Sequence, residues 1–325
     1  MTPAARLDYA NIGLMLISFG VAMVVPFELF LFSYAVLGPA HYLTEIAWLH
    51  ERKYFTHGPR DYVVLVLLAA VSALFFLSYS LDLLEPIRPK SPYSYNALVY
   101  LAFAGALLMA LVKNTFYRFI GAALLLVCVV FTKRYLLFFS FLLPTLVHVY
   151  VFTGCFMLYG ALRARSRSAL LALGVFALVP VAFWLLRVPG APASGYATSA
   201  YATFESVNAA LLNGFHLTSS TPAVHNQVYG STLGLMLMRF VAFAYTYHYL
   251  NWFSKTRIIQ WHQLPKRLLT GLAVVWLASL VLYWFDYQIG LRWLFFLSLA
   301  HVFLEFPLNH LTFLNIGKEL RARLA

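Results

Sequence analysis

Long apolar runs separated by short polar clusters, many of them basic, repeat along the whole chain. A helix rises about 1.5 Å per residue and a hydrocarbon core is about 30 Å thick, so one crossing takes about 20 apolar residues. Runs of that kind fall at 11–37, 38–55, 61–80, 96–112, 119–132, 135–161, 168–187, 231–253, 268–286 and 291–314. They predict an all-α, polytopic transmembrane helix bundle of about ten spans, a single membrane-embedded domain over 1–325. The run at 119–132 is short for a crossing. The run at 38–55 opens on Gly38-Pro39, a break that a membrane tolerates only where protein or a cavity shelters the backbone. The first run follows MTPAARLDYA, which has one basic residue, and no A-x-A site follows it. It reads as a span and not as a cleaved signal peptide.

One long connection, 188–230, interrupts the pattern. It opens VPGAPASGYATSAYATF and closes HLTSSTPAVHNQVYGST, and the FESVNAALLNGFHL stretch reads as a short amphipathic helix lying at the interface. Counting spans puts this loop on the periplasmic side, as a linker or as a lid over a lipid-facing entrance.

Composition narrows the class. The chain is 62% hydrophobic and 10% charged, with a mean hydropathy of +0.78. Soluble domains carry about 25% charged residues, so most of this surface must face lipid. The net charge of +12 does not point to nucleic acid, because the basic residues sit in clusters between apolar runs. Arg6; Arg52, Lys53 and Arg60; Lys113 and Arg118; Arg163, Arg165 and Arg167; Lys255, Arg257, Lys266 and Arg267; and Lys318, Arg321 and Arg323 fall on one side. The other side has only Arg88, Lys90, Lys133, Arg134 and Arg187. That bias places both termini in the cytoplasm, with a bacterial inner membrane as the expected location. It also keeps the short 119–132 run as a span, since dropping it would break the alternation. Cys128 and Cys155 lie in apolar runs and suggest neither a disulfide framework nor a zinc motif.

Against this background the ionisable residues inside spans stand out: Glu28, His41, Glu45, His148, Arg239, His248, His301 and Glu305. Such groups are costly in lipid and face the protein interior or a polar cavity. Glu28 and Arg239 reach similar depth and could neutralise each other. HYLTEIAWLH (41–50) and HVFLEFPLNH (301–310) share a His-x3-Glu-x4-His spacing. Residues four apart share a helix face, so His41 with Glu45, and His301 with Glu305, can bind one metal ion, act as ligand and hydrogen-bond partner, or simply pair. His50 and His310 fall half a turn away from the first histidine of each motif and are weaker candidates. Pro144 and Pro307 place a freed carbonyl and a bend near His148 and Glu305. The expectation is that Glu45, His148, His301 and Glu305 converge, joined by His41 and His248. Naive counting separates His41 from His248 by ~20 Å along the membrane normal, which leaves tilted helices, shifted boundaries or two centres open.

Imidazole and carboxylate without thiolate suit iron, zinc or manganese, and two carboxylates with four imidazoles could hold one or two ions. Glu45 and Glu305 are the candidates for a direct catalytic part. Aromatic residues make up 18% of the chain, and FAYTYHYLNWF (243–253) sets Tyr245, Tyr247, Tyr249, Asn251 and Trp252 around His248. An apolar enclosure implies an apolar, lipid-like substrate, with dioxygen as partner where the metal is iron. A haem-binding electron-transfer protein and an ion or lipid transporter stay open as alternatives, since mid-span His and Glu serve those functions too. A retinal Schiff base is disfavoured because no lysine sits mid-span.

The histidine in GPAHYLTE after the first span, followed by single histidines in later spans, resembles the Brp/Blh-type bacterial β-carotene dioxygenases. The resemblance covers the general plan and the place of His41. It implies a polytopic membrane enzyme that holds iron through histidines and cleaves β-carotene to retinal. The chain departs from that pattern: it has PAHY where the family has Pro-His-Gly, and HVFLE where a His-x3-His turn is expected. The resemblance therefore carries over the reaction class and leaves the substrate, carotenoid or acyl lipid, open. Desaturases and hydroxylases with clustered His-x2-His and His-x3-His boxes fit less well, because those boxes are absent.

Overall fold

The computed structural model describes residues 2–79, 81–91, 93–131, 142–186, 188, 193–214, 224–255 and 264–324. Lys133, Arg134, Arg187 and Arg257 of the charge bias lie outside the described residues, as do the junction of the runs at 119–132 and 135–161 and parts of the 188–230 loop. Every element among the described residues is helical. Among the described residues, six helices are long and apolar enough to cross a membrane: Pro3–Val24, Ser94–Leu111, Leu143–Ala164, Arg167–Leu185, Lys266–Phe285 and Tyr287–Leu324. Asp61–Leu77 and Thr115–Phe131 are apolar but have only 17 residues each. Large side chains point outward, with Trp284 89% and Phe285 82% exposed. A water-soluble protein hides such a surface, whereas lipid accepts it; the chain is an integral membrane protein.

The chain forms two compact units, one from Met1–Gly38, Thr145–Gln263 and Ile316–Ala325, the other from Pro39–Pro144 and Leu264–Asn315. In the first, Thr2 caps Pro3–Val24 by accepting from the Ala5 N–H at 3.2 Å, with proline at the first helical position. The helix stops at Val25 (φ −131°, ψ 63°), because the residue before Pro26 is pushed out of the α region. This corrects the expected unbroken run over 11–37. The expected break at Gly38-Pro39 does not occur either. Ser33–Leu37 is a π turn, Gly38 stays helical and donates to the Ser33 carbonyl, and Gly38–Glu51 follows directly. A π turn loosens the local ladder, so the Pro39 ring is accommodated without ending the helix.

Thr232–Ser254 is the central helix of this first unit. Ser231 caps it at 2.8 Å through the Gly234 N–H. Tyr247 and Ser254 hydroxyls donate to Asn11 of the first helix at 3.3 and 3.0 Å, and Thr246 meets Ser33 at 2.7 Å. Phe243 packs edge-on to Phe183. The helix is 23 residues long, yet it is not among the six, because it carries Arg239, Thr246, His248 and Asn251, all buried. Helices that face protein need less apolar surface than helices that face lipid.

Pro180 inside Arg167–Leu185 removes the N–H that would bond the Phe176 carbonyl, and the Tyr150 hydroxyl donates to that carbonyl at 2.9 Å. Tyr150→Phe is therefore expected to cost about 1 kcal/mol, seen as a small drop in the thermal midpoint of detergent-solubilised protein. An unchanged midpoint would show that the carbonyl finds another donor.

Inside the 188–230 loop the described residues form Gly195–Tyr201, a 3-10 turn Ala202–Phe204, Glu205–Gly214 and Val224–Gly230. Asn208, Ala209, Leu211 and Leu212 of the FESVNAALLNGFHL stretch are buried. The Tyr201 hydroxyl donates to Asn208 at 2.9 Å, and burial pushes this phenol well above its ordinary pKa, so it stays a neutral donor.

In the second unit, Asp61 starts its helix by accepting from the Gly58 N–H at 2.8 Å and from Arg118 Nη1 at 3.1 Å. Phe76 stacks on Phe295 at 4.0 Å, and Trp293 donates to Ser279 at 2.8 Å. The run expected over 38–55 ends as an α-helix at Glu51, because Lys53, Tyr54 and Phe55 adopt φ of 51°, 53° and 56°. Three non-glycine residues in the left-handed region are strained. Side-chain contacts hold them: Tyr54 stacks on Tyr62 at 4.9 Å, and Arg52 lies over the Trp48 ring at 4.1 Å.

Candidate metal centre

All six residues expected to ligate metal are buried, between 1% and 7% exposed. Four of them, His41, Glu45, His301 and Glu305, belong to the second unit, and His148 and His248 to the first.

In the second unit, each of two helices supplies one His-x3-Glu turn. Gly38–Glu51 carries His41 and Glu45, and Tyr287–Leu324 carries His301 and Glu305. The shared face expected from the four-residue spacing is realised: His41 Nε2 lies 3.0 Å from Glu45 Oε2. The His41 and His301 rings are 5.3 Å apart, close to perpendicular. Ligand atoms of His41 and His301 come within 4.8 Å, and so do those of His301 and Glu305. His301 is thus common to both close approaches. Tyr42, one residue after His41, stacks on the His301 ring at 4.2 Å and 23°, and is 1% exposed. Thr44 bonds back to the Ala40 carbonyl at 2.7 Å, which directs its hydroxyl along its own helix.

These groups fit a metal ion. Two ligand atoms on adjacent corners of one ion, with bonds of about 2.0–2.1 Å, stand about 3 Å apart, as His41 Nε2 and Glu45 Oε2 do. Imidazole and carboxylate are a borderline-to-hard donor set, and the groups of three whose ligand atoms lie within 4.8 Å of one another each include His301, while Glu45 is in none. Buried His and Glu groups in this protein could hold a metal ion.

In the first unit, the His148 and His248 rings lie 5.0 Å apart. His148 sits in the π-helical segment Leu143–Phe152, where a proline, Pro144, stands near its start. Thr153 Oγ1 lies 2.8 Å from His248 Nδ1 and donates to the Val149 carbonyl at 3.0 Å. The hydroxyl has one proton, so His248 Nδ1–H donates to Thr153, which fixes the tautomer of the ring. Around His248, Tyr249 lies at 5.5 Å and Asn251 is buried. Tyr247 turns instead to Asn11 and Phe243, and Trp252 is half-buried.

The two weaker candidates, His50 and His310, have other work, and so has His225 of the long loop. His50 Nδ1 meets the Tyr54 hydroxyl at 3.2 Å, His310 Nε2 donates to the Phe103 carbonyl at 2.8 Å, and exposed His225 pairs with Glu205 at 3.3 Å. Glu28 and Arg239 do not pair. Glu28 accepts from the Ser194 hydroxyl at 2.9 Å, and Arg239 donates to the Val188 carbonyl at 2.8 Å. Sequence reasoning missed Tyr42 and Thr153. The position of Tyr42 beside His41 was a signal for the first; Thr153, on another helix from His248, had none.

The sequence matches no family model and no curated protein, and the fold matches no solved structure.

Proposed function

We propose that this is a membrane oxidoreductase that uses a non-haem metal, iron foremost with manganese as a redox-active substitute, to bring dioxygen to a long apolar substrate such as a carotenoid or acyl lipid; zinc fits the ligand types but not the oxygen chemistry. The observation that carries the reading is the pair of His-x3-Glu turns, with His41 against Glu45 at 3.0 Å and His301 within 4.8 Å of ligand atoms on both His41 and Glu305. Ligands are drawn from His41, Glu45, His301 and Glu305, and from His148 and His248, for one ion or two. When bound, iron supplies the dioxygen chemistry. The chain does the rest. Burial excludes water, and Tyr42 holds the His301 ring by stacking. Glu45 is either a ligand or the acceptor that fixes the His41 tautomer, and Glu305 has the same two roles toward His301.

The histidine spacing argues against haem held between two imidazoles within either unit. Iron–nitrogen bonds of about 2 Å on opposite faces would keep ring centroids more than about 6 Å apart. The two pairs stand at 5.3 and 5.0 Å.

The deciding experiment is anaerobic purification, reconstitution with ferrous iron, and incubation with β-carotene or membrane lipid under air. Stoichiometric iron and substrate-dependent oxygen uptake are expected, both lost in His301→Ala. Metal-free protein with full cellular function would overturn the reading.

The arrangement in the membrane is proposed as about ten spans in a bacterial inner membrane, with both termini cytoplasmic. Its support is the basic bias and the presence of helix among the described residues of each of the ten runs. A fluorescent reporter fused after Ala325 should mature in the cytoplasm; an alkaline phosphatase fusion active there instead would reverse the orientation.

A further inference from the structure

The first unit holds a buried charge that the metal reading does not use. Arg239, about two turns into Thr232–Ser254, is 1% exposed. Its Nη1 donates to the Val188 carbonyl at 2.8 Å, while its Nε and Nη2 have no hydrogen-bond partner among the described residues. Nε–H and Nη2–H form the side-on edge of a guanidinium, the edge that grips two oxygens of one carboxylate or phosphate together. Glu28, the carboxylate that the sequence offered, is turned to the Ser194 hydroxyl and N–H. A guanidinium does not shed its proton, and a buried charge without a counter-charge is expensive. A full positive charge with two bare donors along one edge is the complement of an oxyanion.

We propose that Arg239 is a binding site for the anionic head of a membrane amphiphile, a carboxylate or phosphate gripped side-on by Nε and Nη2. Its buried neighbours along the helix, Met236, Met238, Val241 and Ala242, are apolar and bring no counter-charge. None of these residues is a candidate metal ligand, so this site and the metal centre stand or fall separately.

The test uses the full chain, stripped of lipid in a non-ionic detergent and titrated with oleate, with phosphatidylglycerol or with inorganic phosphate. Bound ligand is counted by native mass spectrometry. One amphiphile per chain is expected on the wild type, with binding at least about tenfold weaker in Arg239→Lys, because an ammonium cannot make the two-pronged contact. Arg239→Gln should retain none. If that variant does not fold, the ratio between wild type and Arg239→Lys decides. Oleate alone binding would identify a carboxylate ligand, and phosphatidylglycerol alone a lipid phosphate; either supports the site. Inorganic phosphate binding as tightly as both amphiphiles would overturn the lipid assignment. Absence of binding on the wild type, or equal binding on all three proteins, would overturn the site.

Discussion

Protein carrying His301→Ala is expected to purify with little of the metal that the wild type retains, an affinity loss of more than about 100-fold. The argument is positional. His301 approaches His41 and Glu305 together, so its removal deprives both of a common partner. Substituting residues that merely hold a ligand in place costs about 10–100-fold, and a ligand itself costs more. Tyr42 separates the two effects. Tyr42→Phe keeps the stacked ring and should keep the metal, whereas Tyr42→Ala frees the imidazole and should fall between wild type and His301→Ala. His148→Ala and His248→Ala are expected to lose metal as well, and elemental analysis of each shows which pair holds it. Full metal content in His301→Ala would remove the reading.

The second large effect is on stability. Phe243→Ala should destabilise the protein by about 3 kcal/mol, lowering its apparent thermal midpoint in detergent by on the order of 10 °C. Phe243 is fully buried, stacked on Tyr247 at 5.9 Å and flanked by Phe183 at 6.1 Å and Phe176 at 6.3 Å. The lower end of the usual 3–5 kcal/mol for Phe→Ala is expected, because lipid is itself apolar and the loss is mostly cavity and contact. Phe285→Ala is the control. Its ring is 82% exposed, and its removal should leave the midpoint nearly unchanged. Similar losses at both positions would mean that Phe243 is not a core residue.

Helical class and the two His-x3-Glu turns were legible because both follow from periodicity: length of apolar run in one case, one helix face in the other. The half-turn argument also separated His310, which bonds the Phe103 carbonyl, from His301. Other features depended on partners that no local pattern reveals. The two proline junctions look alike in sequence, yet Val25 leaves the helix before Pro26 while Gly38 stays in it, because a π turn precedes Pro39. The left-handed turn at Lys53–Phe55 has no glycine to announce it. Equal depth suggested a Glu28–Arg239 pair, but depth fixes only one coordinate, and the side chains face Ser194 and Val188. Hydropathy understated Thr232–Ser254 for the opposite reason: Thr246 and Tyr247 are satisfied by neighbouring segments, not by water.

The π-helical stretch Leu143–Phe152 carries a consequence for how this chain tolerates changes of length. A π turn holds one residue more than the α ladder requires, so deleting a single residue there can restore ordinary i→i−4 bonding with no helix lost. The same deletion would rotate what lies upstream by about 100° against what lies downstream. Placed between His148 and Thr153, it would leave both residues present and the backbone intact while swinging the imidazole off the side that meets His248. Register, independent of residue identity, is therefore a second determinant of this histidine pair, and a survey of natural or engineered variants that scored only whether His148 is kept would overlook it.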